Sequence, residues 1–255
     1  MNTSTSNAWI VSPRPNPHAR LRLFCFPYAG GGASVFYAWI KSLPQDIEVC
    51  PIQLPGRQGR SEVPPFTQMG PLVEALAQGI EPYLNKPFAF FGHSLGAKIS
   101  FELARHLRAQ GAARPVCQFF SGSNAPHIAS PDPPLHELPD AELVEKLRRF
   151  KGTPEELLQD EELLQVFLPL LRADIALHET YRYVPGEPFD YPISVFGGLQ
   201  DDEISRDNLA AWHIHTRGTF TLRMFPGDHF FLRSARAPLL QAVSHDLVQV
   251  LAQMP

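Results

Sequence analysis

Cysteine is scarce in this chain, with three in 255 residues. Cys25, Cys50 and Cys117 all fall in apolar segments that read as strands. An odd count with no metal-ligand spacing argues against a disulfide framework and against a zinc site. Three buried thiols are expected, and Cys25, close to the site developed below, is the one with a chemical alternative. Charge of one sign is also lacking: 22 basic against 26 acidic residues leave a formal charge of -4. Such a balance gives no general attraction for nucleic acid or acidic membranes. Met1 to Pro17 has neither the basic start nor the apolar core of a secretory leader, and no stretch approaches the length of a membrane span. A cytoplasmic protein is expected. Internal repeats and low-complexity tracts are absent as well. What the chain does have is 44% hydrophobic residues, enough to bury a sizeable core as one large domain over 1–255.

The apolar segments alternate in type. Leu21 to Phe26 reads as a strand, Ser34 to Ser42 as a short helix, Ile47 to Ile52 as a strand and Leu72 to Leu84 as a helix. Phe88 to Phe91 (strand), Ser94 to Ala109 (helix) and Val116 to Phe120 (strand) continue the rhythm, which favours a parallel sheet with helices on both faces. It then breaks. His127 to Pro134 is proline-rich and Asp140 to Tyr183 carries helical patterns with no strand, predicting a helical lid insertion over about 127–185. Within it, Leu163 to Leu171 is apolar on more than one helical face, with a kink expected at Pro169. The two readings are a second core layer, or one face packed on the domain while the other lines an apolar channel. Strand and helix resume with Ile193 to Phe196, Arg206 to His215, Phe220 to Phe225 and Pro238 to Leu251.

Chemistry concentrates at Gly92-His93-Ser94-Leu95-Gly96, between an apolar strand and a helix pattern. A strand that turns sharply into a helix lifts one serine hydroxyl above the sheet edge, and small residues two before and two after it let the backbones pass. Ser94 is then a nucleophile in need of a base. The partners of such a serine follow in the order acid, then histidine, each on a loop after a late strand. Asp201, Asp202 and Glu203 follow the strand that ends at Gly197-Gly198, and His229 follows Phe220 to Phe225 through Pro226-Gly227-Asp228. His229 is the preferred base; His93, His106, His178, His213 and His215 have structural readings. Spacing alone does not choose among the three adjacent acids, of which the others read as a solvated turn or a helix cap before Arg206, and Asp174 is an outside candidate. The amide of Leu95 and one from Phe26-Pro27-Tyr28-Ala29-Gly30-Gly31-Gly32 would form an oxyanion hole. That loop lacks the lysine and spacing of a phosphate loop.

These residues resemble a known family. Phe26 to Gly31, Leu54-Pro55-Gly56-Arg57 with Arg60, Gly92 to Gly96, Ser121-Gly122, Leu138-Pro139-Asp140, Gly152-Thr153-Pro154, Arg172-Ala173-Asp174 and Gly227-Asp228-His229-Phe230 are similar, in order, to motifs of type II thioesterases. Those enzymes accompany polyketide and nonribosomal peptide synthases. The resemblance implies an α/β-hydrolase fold and a stand-alone hydrolase that removes stalled or aberrant acyl groups from the phosphopantetheine arm of acyl or peptidyl carrier proteins. It carries over Ser94, Asp201 and His229 as the triad, and Ala29 and Leu95 as oxyanion amides. Tyr28, Phe167, Leu171 and Phe230 are the expected substrate contacts, with no metal and no cofactor. Two positions depart from the pattern: Asp202 stands where proline usually follows the aspartate, and Lys98 stands where an apolar residue is usual. Lys146, Arg148, Arg149 and Lys151 form a basic cluster whose readings are a solvated helix face or a carrier contact. Arg57 and Arg60 suggest structural pairing first and phosphate contact second. A monomer is the default. The alternatives are a carboxylesterase with the same triad, a chain-terminating or cyclising thioesterase, and a non-catalytic carrier-binding partner. The chain's ends, close to the fold, weigh against the chain-terminating alternative.

Overall fold

A computed structural model describes residues 9–11, 15–128, 134–150 and 152–254. Six strands, β1 (Leu21–Phe26), β2 (Ile47–Pro51), β3 (Phe88–His93), β4 (Gln118–Ser121), β5 (Ile193–Gly198) and β6 (Phe220–Phe225), form one sheet in the order β2-β1-β3-β4-β5-β6. Every neighbouring pair is parallel. Strands of such a sheet are covered on both faces and so read as continuous apolar runs, which is why Phe-Ala-Phe-Phe in β3 shows no alternation. The period of two survives in which layer each side chain enters. Phe24, Phe26, Phe88 and Phe90 join the layer under α1 (Met69–Ile80) and α2 (Leu95–Ala109). Leu23, Cys25, Ala89 and Phe91 join the opposite layer, with Phe36, Trp39 and the inner face of α8 (Arg236–Ala252). Each fully buried phenylalanine contributes about 1.5–3 kcal/mol. Phe90 packs edge-on against Phe24 and Phe26, and Phe91 against Trp39.

Several boundaries differ from the sequence reading. The segment Ala33–Lys41, expected as a short helix, is a 3-10 run. The helix expected from Leu72 begins three residues earlier, at Met69, and ends at Ile80, followed by a 3-10 turn at Glu81–Tyr83. Pro71 fits its first turn, where a missing N–H is no loss. Between β4 and β5 come α3 (Asp140–Phe150), α4 (Glu155–Gln159) and α5 (Glu161–Glu179). Asp160 caps α5 by accepting from the Leu163 amide at 3.0 Å, and the helix runs through Pro169 without interruption. Leu168 and Leu171 of α5 pack with Leu143, Leu147 and Leu158, whereas Val166 is 75% exposed. After β5, α6 (Arg206–Ala210) is capped by Ser205, not by the acids before it. A short helix absent from the sequence reading, α7 (Phe231–Ser234), follows β6. No helix among the described residues is long and apolar enough to cross a membrane.

The topology selects where a ligand can enter. From β1 the chain goes to β2 on one side and then to β3 on the other, so the connections at the carboxyl ends of β1 and β3 diverge and leave a crevice. Register pairs Phe26 with Gly92 and His93 with Ser121, bringing the loop after β1 level with the turn after β3.

Candidate active site

Ser94 stands at the turn between β3 and α2 with φ 54 and ψ -117, the one non-glycine with positive φ among the described residues. Such a conformation costs about 1–3 kcal/mol and persists only when its surroundings enforce it. Here the Ser94 amide donates to the Ser121 carbonyl of β4 at 2.8 Å, and the Ala97 amide donates back to the Ser94 carbonyl at 3.0 Å. The flanking glycines allow the close passage. A β-carbon at Gly92 would come well under 3.0 Å from the Gly96 backbone, and one at Gly96 equally close to Phe26.

Asp201 and His229 stand on the loops after β5 and β6, laced together by Leu199 N to Phe225 O (2.8 Å), Gln200 N to Gly227 O (2.9 Å) and Gly227 N to Gln200 Oε1 (2.7 Å). His229 Nδ1 lies 3.0 Å from Asp201 Oδ2. The other carboxylate oxygen accepts the amides of Glu203 (3.0 Å) and Ile204 (3.1 Å). Of the three adjacent acids, then, Asp201 faces the imidazole, while the exposed Asp202 and Glu203 turn outward. Asp174, the outside candidate, is elsewhere: it sits 2.7 Å from Arg57 and accepts the Gly30 amide at 2.7 Å. Burial by itself would lower the pKa of His229, but the hydrogen bond and charge of Asp201, with Glu203 and Asp228, outweigh it and raise the imidazole above its ordinary value. With Nδ1–H donated to the carboxylate, the neutral ring keeps the lone pair of Nε2.

His229 reaches the Ser94 turn through its neighbours. Its ring centroid is 5.2 Å from that of the buried His93. A β-carbon at Gly122, next to the residue that holds the Ser94 amide, would meet both rings, at 2.8 Å from His93 and 3.4 Å from His229. His93 itself bonds Ser121 Oγ at 2.9 Å, and burial, with the charge of His229, lowers its pKa well below the usual imidazole range.

The loop after β1 is held by a clamp that sequence reasoning anticipated only as pairing of Arg57. Arg57 donates to the Gly31 carbonyl at 2.8 Å and pairs with Asp174, which in turn holds the Gly30 amide. Gly31 and Ala33 donate to Tyr28 O and Gln53 Oε1. Among the described residues no protein acceptor takes the Ala29 N–H, and the Leu95 N–H opens a helix, where amides have no intrahelical partner. Gly30 has φ +75, and a β-carbon there would lie 3.0 Å from the Phe167 ring and 3.2 Å from Leu171 of α5. Tyr28 meets the Phe230 ring edge-on at 5.1 Å and His93 at 5.9 Å, and Arg233, not singled out from the sequence, bonds the Tyr28 hydroxyl and lies over the Phe230 ring at 5.2 Å. The four expected contact residues therefore gather around Gly30 and His229.

Elsewhere, Arg60 donates to Gln53 O at 2.9 Å and covers the Trp9 ring at 4.1 Å. Arg148 pairs with Glu145 and Glu155, Lys146 and Arg149 are exposed, and Lys151 lies outside the described residues. Cys25, Cys50 and Cys117 are buried free thiols, raised in pKa by burial, which leaves Cys25 without the exposed, electropositive setting a reactive thiol needs.

A parallel sheet with a serine at the strained turn after β3, at the switch point of the strand order, and an aspartate and histidine after β5 and β6, defines the α/β-hydrolase fold. Residues 21–247 match the thioesterase domain family, and the chain belongs to that family of hydrolases. The gramicidin S biosynthesis protein GrsT of Aneurinibacillus migulanus is 46% identical over 249 residues, 98% of this chain and 97% of GrsT. Among solved structures, the thioesterase RedJ from the prodiginine biosynthetic pathway in Streptomyces coelicolor superposes with a TM-score of 0.86 at 38% identity, covering 92% of this chain and 93% of RedJ. The type II thioesterase BorB from the borrelidin biosynthetic cluster gives a TM-score of 0.85 at 36% identity, covering 93% and 97%.

Proposed function

We propose that this thioesterase is of the editing type, hydrolysing aberrant or stalled acyl groups from the phosphopantetheine arm of acyl or peptidyl carrier proteins of polyketide or nonribosomal peptide synthases. The observation that carries the reading is the Asp201–His229 pair at 3.0 Å, its imidazole 5.2 Å from the ring of His93, the neighbour of a Ser94 held at φ 54. Ser94 Oγ attacks the thioester carbonyl carbon while His229 Nε2 takes its proton. The oxyanion is received by the Ala29 and Leu95 amides, each donor of this kind being worth about 3 kcal/mol. The intermediate collapses by breaking the C–S bond, and His229 returns the proton to sulfur. A thiol of ordinary pKa, about 8.5, leaves easily and makes little demand on that acid. Water then attacks the acyl-serine with His229 as base, and the proton passes on to Ser94 Oγ; the products are the free acid and the free carrier thiol.

In this reading α3 to α5 form the lid, and Tyr28, Phe167, Leu171 and Phe230 bound the acyl site. Phe167 and Leu171 stand where a β-carbon on Gly30 would meet them, which supports that assignment because it sets these apolar side chains of α5 near the oxyanion loop. The protein would act in the cytoplasm, as a monomer, without cofactor or metal. Intact-mass monitoring of an acetyl- or propionyl-loaded carrier, with wild type and Ser94→Ala, tests the reading; p-nitrophenyl esters are run in parallel. Loss of the acyl mass with wild type alone is the expected result. An intact acyl carrier beside rapid ester cleavage would identify a carboxylesterase instead, and silence in both assays a binding role.

A further inference from the structure

His93 and the Ser121-Gly122 pair at the end of β4 have no part in the chemistry written above, yet they stand against its machinery. Ser121 is fully buried and reaches the Ser94 turn by two routes. Its carbonyl accepts the Ser94 amide at 2.8 Å, and its hydroxyl bonds Nδ1 of His93, the residue before Ser94, at 2.9 Å. The parallel register sets His93 opposite Ser121, so both bonds come from one residue of β4. Gly122 continues the tie by donating its amide to the Phe196 carbonyl of β5 at 2.9 Å. It has φ +55, and a β-carbon there would lie 2.8 Å from the His93 ring, so glycine is what lets that ring take its place. The ring centroid of His93 is 5.2 Å from that of His229, and Phe231 and Tyr28 close around it at 5.6 and 5.9 Å.

The bond from His229 Nδ1 to Asp201 fixes one atom of the imidazole and leaves the ring free to pivot about it. A catalytic group must be held to within about 0.5 Å of its productive position, and a ring anchored on its face removes the pivot. His93 suits that task because it does not compete for the proton: burial, and then the charge of His229, hold its pKa well below the usual imidazole range. Its own anchor is the hydroxyl of Ser121. We infer that Ser121 and His93 are positioning residues for the reaction: Ser121 holds the nucleophile through its carbonyl and, through its hydroxyl and the His93 ring, sets the orientation of the base. The inference rests on the assignment of Ser94 and His229 above and gives the Ser121-Gly122 motif its role. Nucleophile and base then share one support at the end of β4, so movement of one relative to the other is suppressed.

The test uses wild type, Ser121→Ala, His93→Phe and the double variant. Ser94 is labelled to completion with a fluorophosphonate, which counts competent sites, and kcat and KM are expressed per labelled site for propionyl-N-acetylcysteamine and p-nitrophenyl acetate across pH. Each single variant is expected to label fully and to lose about 10- to 100-fold in kcat, the effect of a catalytic group misplaced by about 1 Å, with KM within about twofold of wild type. The double variant should lose no more than the worse single, because the two residues act through one bond. The acid limb of Ser121→Ala should stay at the wild-type pH, since Asp201 still faces His229 and His93 does not titrate. A wild-type kcat in Ser121→Ala, losses that multiply in the double variant, a loss that vanishes when counted per labelled site, or a displaced acid limb overturns the proposal. The expected losses on the ester, with wild type inert toward the thioester and toward acyl carriers, support it while overturning the thioesterase reading. Wild type inert toward both substrates and toward the fluorophosphonate overturns both.

Discussion

The Arg57–Asp174 pair offers the sharpest test of how the loop after β1, the proposed oxyanion loop, is held. Its side chains are 5% and 1% exposed, and together they hold the Gly31 carbonyl and the Gly30 amide. Asp174→Leu strands a buried guanidinium, for which the expected loss is about 3–5 kcal/mol, and leaves the Gly30 N–H without its acceptor. Against a total stability of about 5–15 kcal/mol, that is a large fraction. With a urea m-value of about 2–3 kcal/mol/M, the unfolding midpoint should fall by about 1–2.5 M. Burial outweighs Arg57 and the Gly30 amide and raises the pKa of Asp174, the sign expected where desolvation exceeds attraction. Replacing both partners by apolar groups should therefore cost much less than the two single losses added together. The double variant Arg57→Met/Asp174→Leu is expected to recover at least about 2 kcal/mol relative to that sum. Urea denaturation of wild type, both singles and the double closes the cycle. Additive losses would refute the reasoning, since they would mean that neither single variant leaves an unpaired buried charge. Turnover should remain low in the double even as stability returns, because Ala29 adjoins the released Gly30 and a loop misplaced by about 1 Å costs on the order of 100-fold.

Two further outcomes are expected. The acid limb of kcat/KM should lie above the ordinary imidazole value of 6.5, because the carboxylates raise His229 and the base must be neutral; Asp201→Asn removes the main raising partner, leaves burial, and should move the limb to lower pH while reducing the rate about 100-fold or more. A β-carbon at Gly96 would strike the Phe26 and Pro27 carbonyls, whereas one at Gly70 on α1 meets nothing within 4 Å, so Gly96→Ala should abolish soluble active enzyme while Gly70→Ala is neutral or stabilising by up to about 1 kcal/mol, as read by thermal unfolding.

Strands β1, β3 and β5 were legible because a strand buried on both faces must be apolar at nearly every position. The 3-10 character of Ala33–Lys41 and the split of the Asp140 to Tyr183 region into three helices were not, because local periodicity is similar for all of them. The same distinction runs through the site. Ser94 and His229 stood out because a strained strand-to-helix turn and a post-strand loop each leave a local mark of small residues. Asp201 and Asp202 are adjacent and chemically alike, so spacing alone does not choose between them; the resemblance pointed to Asp201, and the lacing of the two loops brings its carboxylate to the imidazole.

The sequence by itself determined the alternation of strands and helices, the elbow around Ser94 and the order of acid and histidine, since these follow from short-range spacing and side-chain size. The tertiary structure alone decided that Asp174 serves Gly30 and Arg57 rather than His229, that Arg233 meets the Tyr28 hydroxyl, and that Lys98 meets His178 and, among the described residues, no carboxylate. Those pairings span 80 to 205 positions, and a charge carries no local signature of the partner that packing will bring to it.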